Sequence, residues 1–329
     1  MYSLGYRIGR RRSKPGRSNF QVILILYPDN VPELPEVETI MRGLARRVTG
    51  DTIESVWIGS RPQPLKSPAA LIARTLEGAR IEGVNRAGKH IVFDLKREIA
   101  SAKLRNRKHG QERRLTGGSG AKRKAAQVGA LTAQWVVHLG MTGRMVVCEP
   151  DVEIAKHTHL VATLASGREL RFIDPRMFGK LSVHETGFDP GGVEPLDVSE
   201  ERFVALFHGR KTPIKSALLN QKLVRGVGNI YADESLFRAG IRPRRRATAI
   251  TRQQLSQLYG SVREVLREAI QFGGSSISDY VDADGEEGFF QLQHRVYGRE
   301  DEPCLVCGTP IRRVVLAGRS SHYCPKCQK

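Results

Sequence analysis

Four cysteines near the carboxyl end constrain the fold of this chain more than any other feature. They form two pairs with the spacing Cys304-x2-Cys307-x16-Cys324-x2-Cys327. Each two-residue gap lets one tight turn present two thiolates, and the pairs are separated by the length of a hairpin, as in structural four-cysteine zinc sites. The alternative is a pair of disulfides, which a reducing cytosol disfavours. The sequence therefore predicts one structural zinc ion in a small C-terminal module.

The chain is strongly basic, with 53 Lys and Arg against 34 Asp and Glu and a net charge of +19. Residues 1–30 contain six basic residues and one acidic residue, and residues 97–124 contain ten and two. Without these two segments the chain keeps about +6, so its body also favours a nucleic-acid partner. The sequence has no apolar run near the ~20 residues of a membrane helix. We expect a cytoplasmic protein that does not contact a membrane.

Hydrophobic periodicity divides the chain into a strand-rich half and a helical half. Residues 36–50 predict an amphipathic helix, and residues 52–183 alternate in a way that indicates a β-sandwich of two antiparallel sheets. Within it we expect strands over 91–95, 134–147 and 159–164, with Cys148 as a small buried hydrophobe. Helical periodicity returns after Ser199, over residues 200–207, 214–219, 230–239 and 251–272.

These patterns predict an α+β protein with several distinct parts. They are an extension at 1–31, a β-sandwich domain at 32–187, a Pro/Gly-rich linker at 188–198, a helical domain at 199–290 and a zinc module at 291–329. Residues 97–127 are polar and basic, without an apolar pattern, between two strands that a short turn could connect. We expect them to form a disordered insertion in a hairpin loop, which adds weak, non-specific attraction to DNA.

Five motifs follow one another in a fixed order along the chain. They are Pro32-Glu33-Leu34-Pro35-Glu36-Val37-Glu38, Arg86-Ala87-Gly88-Lys89, His138-Leu139-Gly140-Met141-Thr142-Gly143, Gly226-Val227-Gly228-Asn229-Ile230-Tyr231-Ala232, and the cysteine module with Arg319. Together they resemble the formamidopyrimidine-DNA glycosylase family from residue 32 to residue 329. The resemblance implies a leading helix and β-sandwich, a helix-two-turn-helix domain and a C-terminal zinc finger.

The resemblance also implies the catalytic residues. Pro32 matches the family's nucleophile, a secondary amine that attacks C1′ of the damaged nucleotide and displaces the base. The resulting iminium acidifies the 2′ protons, so that β- and then δ-elimination cut the strand. Glu33 matches the general acid/base, whereas helix capping is the main role expected for Glu36. Lys89 and Arg319 complete the catalytic set, at positions that match contacts to phosphates around the flipped nucleotide.

The partner implied by the resemblance is damaged double-stranded DNA, bound by a monomer. Its contacts match His157, Arg176, Lys211 and Asn229. An enzyme that acts on a base takes that base out of the stack, and Met141, Arg176 and Phe178 match the trio that fills the void. The alternative to a void-filling role is a place in the hydrophobic core. This alternative is plausible for Phe178 and weaker for Met141, which lies between turn residues.

Two branches of this enzyme class use the same machinery on different lesions. The motif Pro-Glu-Leu-Pro-Glu-Val favours oxidised purines, whereas the sibling endonuclease VIII, which removes oxidised pyrimidines, has Pro-Glu-Gly-Pro-Glu-Ile. The long Gly/Ser/Asp-rich stretch 273–297 resembles the lesion-capping loop of the purine enzymes. Ser275, Ser276 and Tyr280 are candidate contacts in that loop.

The position of Pro32 within the chain raises a third alternative. In the printed sequence its nitrogen is an amide, which cannot form an iminium, and such a protein would bind DNA damage without catalysis. We expect instead that the working protein begins at Pro32. Bacteria can initiate at a valine codon, here Val31, and remove the initiating methionine before a small residue. A protease that removes the extension would give the same mature enzyme.

Overall fold

The fold was analysed in a computed structural model that describes residues 31–99, 129–185, 187–275 and 290–329. Residues 1–30 of the expected extension lie outside the described residues, as do positions 100–127 of the expected insertion. Two of the expected loop contacts, Ser276 and Tyr280, also lie outside them.

The leading helix, α1, extends over Leu34–Val48 and begins two residues earlier than predicted. Pro35 lies in its first turn, where the missing N–H costs no hydrogen bond, and Glu33 is the N-cap residue. Val37 and Leu44 pack into the core of the sandwich, whereas Leu34 packs into the core of the helical domain. The start of α1 therefore lies where the two domains meet.

The N-terminal domain contains the predicted pair of antiparallel sheets. One sheet has the order β1 (Ile53–Ile58), β6 (Thr158–Leu164), β7 (Glu169–Ile173) and β5 (Arg144–Cys148). The other has the order β2 (Arg80–Ala87), β3 (His90–Ile99), β4 (Gly129–His138) and β8 (Lys180–His184). The hydrophobic core lies between them and includes Phe93, Trp135 and Phe172.

Several local predictions for this domain were wrong. Residues 134–147 are not one strand, because a turn after His138, with Gly140 at φ +67°, sends β4 and β5 into different sheets. A short helix, α2 (Ala69–Leu76), was not predicted. Cys148 is half-buried rather than buried. Residues 97–99, the expected start of the insertion, belong to β3, and Ile99 pairs with Gly129 of β4.

The helical domain has α3 (Glu200–Ala205), α4 (Ile214–Leu218), α5 (Asn229–Arg238) and α6 (Arg252–Gln271). Their bounds differ from the predictions by one or two residues, because the flanking residues are caps; Thr251, for example, accepts a hydrogen bond from the Gln254 N–H at the start of α6. The zinc module contains the hairpin of β9 (Arg312–Leu316) and β10 (Arg319–Tyr323), which lies against α5. Across the described ranges, no helix combines the length and apolar character needed to span a bilayer.

Candidate active site and DNA-facing surface

Pro32 and Glu33 are buried at the junction of the two domains. The Glu33 Oε1 atom accepts a hydrogen bond of 3.1 Å from the backbone N–H of Ile230, in the first turn of α5. A helix N-terminus has free N–H groups and a positive dipole end, so α5 is an electrostatic support for this carboxyl. Among the described residues, the Glu33 Oε2 atom has no hydrogen-bond partner. The start of α5 thus holds one oxygen of the carboxyl group, and the other oxygen has no such support within the described ranges.

Burial raises the pKa of Glu33 from 4.5 to about 7. The positive charge of Lys89 and the α5 backbone N–H groups oppose this shift, while the neighbouring Glu36 carboxyl adds to it. A carboxyl group with a pKa near neutrality can both release and accept a proton at working pH, which is what a general acid/base requires.

Glu36 has a wider role than the capping that was expected. Its Oε2 atom accepts the Glu33 backbone N–H at 2.9 Å, as a cap would. Its Oε1 atom accepts the Tyr231 hydroxyl and, at 2.8 Å, the Ser275 backbone N–H. Burial raises the pKa of Glu36 as well. This carboxyl therefore joins the start of α1 to α5 and to the segment that follows α6.

Three glycines allow these elements to approach closely. A Cβ atom on Gly228 would overlap the Glu33 carboxyl, and one on Gly226 would lie 2.7 Å from a methyl group of Leu34. A Cβ on Gly274 would lie 2.9 Å from the Glu36 Oε1 atom. The glycines of the Gly226-Val227-Gly228 motif are thus needed for packing against the Glu33 segment.

Lys89 lies in the turn between β2 and β3 and is half-buried. Burial lowers its pKa, and the Glu33 carboxyl opposes that shift. The carboxyl of Glu33 and the ammonium of Lys89 therefore influence each other, as expected for two residues of one site.

A half-buried ion network, which the sequence analysis missed, supports the Lys89 turn. Arg86 donates to Glu38 at 2.7 Å and also to Glu194, while Arg225 donates to Glu194 at 2.8 Å. It connects α1, the β2–β3 turn, the linker and the loop before α5. The motif Arg86-Ala87-Gly88-Lys89 drew attention to Arg86. The acidic partners of Arg86 could not be predicted in the same way, because they are distant from it in sequence.

Asn229 and Arg319 lie where α5 meets the zinc hairpin: Asn229 is the first residue of α5, and Arg319 is the first residue of β10. Asn229 donates from its side-chain amide to the Ser320 hydroxyl at 3.3 Å. The buried Lys215 donates to the Ser320 carbonyl at 2.6 Å and lies 2.7 Å from Asp233. These contacts hold the hairpin, whose exposed Arg319 follows the β9–β10 turn, next to the start of α5.

The four predicted zinc ligands converge. Their Sγ atoms all lie within 4.8 Å of one another, with 3.9 Å between Cys304 and Cys327 and 3.4 Å between Cys307 and Cys324. Zn–S bonds of about 2.3 Å in a tetrahedron place sulfurs about 3.8 Å apart, so these residues fit one structural zinc ion.

The predicted void-filling residues lie on two adjoining turns of the sandwich. Phe178 is 53% exposed, so a place in the hydrophobic core is wrong for it. The guanidinium of the exposed Arg176 lies 5.3 Å from the centre of the Phe178 ring. Met141, on the turn between β4 and β5, is half-buried. Because a Cβ atom on Gly140 would lie 2.6 Å from the backbone of residue 178, the two turns are in direct backbone contact.

Asp174, a residue that the sequence analysis missed, holds these turns from behind. It is fully buried and accepts the Thr142 hydroxyl at 2.6 Å and the Gly179 N–H at 2.7 Å. Its own backbone N–H donates to the His157 carbonyl at 3.0 Å. The only signal in the sequence was an Asp-Pro pair at the start of a turn.

Two further expected DNA contacts lie on separate loops. His157 is half-buried and has φ +71°, a strained backbone conformation for a residue with a side chain, of the kind that occurs at functional sites. Lys211 is exposed on the loop before α4. Of the expected loop contacts, only Ser275 lies within the described residues, and it is buried.

Comparison with known families accounts for most of the chain. Residues 31–181 match the formamidopyrimidine-DNA glycosylase N-terminal domain, residues 192–281 match the H2TH domain of the same enzymes, and residues 301–329 match a zinc finger found in FPG and IleRS. The formamidopyrimidine-DNA glycosylase of Solibacter usitatus is 43% identical, over 91% of this chain and 100% of that protein.

Solved structures agree with these matches. The MutM (FPG) protein of Thermus thermophilus has a TM-score of 0.71 at 38% identity, over 90% of this chain and 98% of that one. A complex of Lactococcus lactis FPG with DNA containing FAPY-dG has a TM-score of 0.72 at 30% identity, over 90% of this chain and 100% of that one.

The fold and the site define an H2TH protein with a C-terminal zinc finger, of the class that includes DNA glycosylases. Within that class, the chain belongs to the formamidopyrimidine-DNA glycosylase family.

Proposed function

We propose that this protein is a base excision repair enzyme that removes oxidised purines from double-stranded DNA and then cleaves the abasic strand. The buried Glu33 carboxyl, with a pKa of about 7 and one oxygen that has no hydrogen-bond partner among the described residues, is the observation that carries the proposal. It follows Pro32 directly in sequence, and a protonatable group beside a secondary amine is what glycosyl transfer through an iminium requires.

In the proposed reaction, the Pro32 nitrogen forms a bond to C1′ as the bond between C1′ and the base breaks, and the proton of the amine is transferred to the departing base, which restores the nitrogen lone pair. Glu33 protonates the sugar ring oxygen, the ring opens, and the nitrogen lone pair forms the iminium at C1′. Loss of a 2′ proton then expels the 3′ phosphate, and a second elimination expels the 5′ phosphate.

We assign Lys89, Asn229 and Arg319 to the phosphates around the flipped nucleotide, and we propose that Lys89 and Arg319 also assist the eliminations. His157, Arg176 and Lys211 contact the rest of the duplex. Met141, Arg176 and Phe178 fill the space that the base leaves; the exposure of Arg176 and Phe178, on a turn that adjoins the turn of the half-buried Met141, supports this role.

We further propose that the protein acts as a monomer in the bacterial cytoplasm, close to the nucleoid, where its substrate is. The proposed domain organisation has a sandwich domain at 32–187, a linker at 188–198, a helical domain at 199–290 and a zinc finger at 291–329. Residues 275, 276 and 280 are assigned to a lesion-capping loop.

Oxidised pyrimidines are a second candidate substrate. The observation that favours them is a solved complex of Lactococcus lactis FPG, 29% identical to this chain, with DNA containing an oxidised pyrimidine. Duplexes that differ only in the lesion, 8-oxoguanine or 5-hydroxycytosine, distinguish the candidates. We expect faster single-turnover excision of 8-oxoguanine, and the opposite order would assign the enzyme to the pyrimidine branch.

The chemistry is tested through the Pro32 nitrogen. Two forms of the protein are compared: one that starts at Met1 with codon 31 unable to initiate, and one produced as Met-Pro32, from which the methionine is removed. Intact mass verifies both. Only the second form, with a free amine, should give a borohydride-trapped adduct with 8-oxoguanine DNA.

Equal trapping by the intact long form would show that Pro32 is not the nucleophile. If neither form traps but both bind lesion DNA, the protein is a damage-binding protein without catalysis.

A further inference from the structure

The described residues on either side of segment 276–289 are joined to each other and to the active site. The Phe290 backbone N–H donates to the Gly274 carbonyl at 3.0 Å. The Phe290 ring is fully buried, with its centre 5.7 Å from that of Tyr231. Since Tyr231 donates to Glu36, this junction lies directly behind the carboxylates of the site.

His294 contributes the polar part of this junction. Its Nε2 atom lies 3.1 Å from the Ser275 hydroxyl oxygen, and its ring packs edge-on between Phe290 and Tyr297. Burial lowers the pKa of His294 to about 4, while a hydrogen bond to the Tyr297 backbone opposes the shift. The imidazole is therefore neutral near pH 7, with one nitrogen as donor and the other as acceptor.

The contact between His294 and Ser275 joins two polar groups in either tautomer of the imidazole. The Nε2 atom and the Ser275 hydroxyl oxygen are within hydrogen-bond distance, and the tautomer decides which of them donates. The Ser275 oxygen also lies 3.4 Å from the Tyr231 hydroxyl oxygen. The imidazole therefore restrains the Ser275 side chain whichever atom is the donor.

Ser275 passes this constraint to the carboxylates. Its backbone N–H donates to the Glu36 Oε1 atom at 2.8 Å, and Glu36 in turn accepts the Glu33 backbone N–H at 2.9 Å. The chain His294–Ser275–Glu36–Glu33 thus connects residues far apart in sequence through three consecutive contacts. All of its members except His294 belong to the site already described.

We propose that His294 is a positioning residue for base excision, which acts through Ser275 and Glu36 on the Glu33 segment. This role rests on the proposed glycosylase function. A purely structural role would need only a side chain that fills the space between two aromatic rings, and leucine would do that. The hydrogen bond to the Ser275 hydroxyl distinguishes the two roles, because an apolar side chain removes that bond and leaves the buried hydroxyl with the longer contact, 3.4 Å, to the Tyr231 hydroxyl.

The experiment compares His294→Leu, His294→Gln, Ser275→Ala and the double variant Ser275→Ala/His294→Leu, all in the form that begins at Pro32. Three quantities are measured: the rate of single-turnover excision of 8-oxoguanine, the rate of strand cleavage at a preformed abasic site, and the affinity for lesion DNA. The matched control is His184→Leu, because His184 lies 3.0 Å from the Ser182 hydroxyl in the sandwich, outside the site.

We expect His294→Leu to slow excision by about tenfold, with DNA affinity and cleavage of the abasic site changed by less than about threefold. Glutamine, whose amide can replace the imidazole in the hydrogen bond, should restore most of the excision rate. The double variant should be no slower than Ser275→Ala, because both changes break the same contact. His184→Leu should leave excision unchanged.

The proposal is overturned if His294→Leu excises normally, if the double variant is slower by the product of the single effects, or if excision and cleavage fall equally. If His294→Leu does not fold, normal excision by Ser275→Ala, a much smaller change, overturns it equally. Failure of the proposed function looks different, since the unsubstituted protein would then excise no lesion.

Discussion

The two halves of the candidate site are built in opposite ways. Around Glu33, the carboxyl groups of Glu33 and Glu36 are buried, hydrogen-bonded and close to glycine backbone. Around Phe178, the side chains are exposed, and the structure fixes the turns beneath them through the buried Asp174. We call these the buried junction and the exposed turns.

The difference follows from what each half has to do. A carboxyl group acquires a pKa near neutrality only when water is excluded from it, which requires close packing. Filling a gap in a DNA stack requires side chains that project beyond the protein surface. Substitutions in the buried junction should therefore affect the chemical step, and those in the exposed turns the eversion of the base.

Removal of zinc should have the largest effect, because the hairpin that carries Arg319 is next to the buried junction through Lys215 and Ser320. Small modules of this kind fold on their metal. We expect stoichiometric zinc removal to reduce strand nicking to background, and zinc addition to restore it. Full nicking by protein shown by metal analysis to be zinc-free would contradict this.

Glu33→Gln should slow excision by roughly 10²–10⁴, because glutamine cannot transfer the proton. Affinity for lesion DNA should change little, since the amide keeps the shape of the carboxyl. Single-turnover kinetics and binding titrations measure the two quantities. The control is Glu54→Gln, at an exposed position in β1, which should behave as the unsubstituted protein. A comparable loss of affinity would place Glu33 in binding instead.

The same variant should change the pH dependence of stability. The pKa of Glu33 is higher in the folded state than in the unfolded state, so ionisation of this carboxyl opposes folding. The resulting free-energy cost of folding is absent well below pH 4.5, grows up to about pH 7, and has its full size above about pH 7. Glu33→Gln removes the cost, and should stabilise the protein at about pH 8 by up to roughly 3 kcal/mol, but little at about pH 4. Equal effects on denaturant unfolding at both pH values would show that Glu33 is not perturbed.

Gly228→Ala tests the close packing of the buried junction. Its backbone conformation is open to any residue, with φ −125°, but the added Cβ atom would overlap the Glu33 carboxyl. Displacement of a catalytic group by about 1 Å can cost roughly 10²-fold, so we expect a loss of excision rate approaching that size. Gly260→Ala, within α6, is the matched control, because among the described residues the new Cβ would have no neighbour within 4 Å outside its own stretch of helix backbone, and it should be neutral or stabilising. Unchanged excision by Gly228→Ala would show that the junction tolerates looser packing.

Phe178→Ala tests the exposed turns and should have the smallest effect. Because the ring is exposed, stability should change by no more than about 0.5 kcal/mol. Excision from duplex DNA should fall by about tenfold, since the wedge that compensates for unstacking is lost. Trp57→Ala, which removes another half-exposed aromatic side chain from β1, should leave excision unchanged. A large loss of stability would show that Phe178 supports the fold.

The sequence was most informative where the physical signal is local. The cysteine spacing predicted the zinc ligands, because two-residue gaps in a tight turn have few other uses. Apolar periodicity located the helices of the second domain to within one or two residues. It failed over residues 134–147, where an apolar run continues through a turn and hides the change from one sheet to the other.

The family resemblance named Glu33 and Phe178, but not their surroundings. Whether Phe178 belonged to the core remained open, since an aromatic residue after a turn has the same local pattern in either place. Asp174, Glu194 and His294 were missed, because a polar residue in a loop carries no sign of the buried partners that it will have.

The sequence by itself determined the family, the zinc site and the residue types that chemistry needs, because these depend on the identity and spacing of neighbours along the chain. Only the tertiary structure decided that Glu33 is buried against the start of α5, with a raised pKa. The same holds for the link from His294 to Glu36. Desolvation and long-range hydrogen bonds depend on which distant segments come together, and local sequence does not encode that.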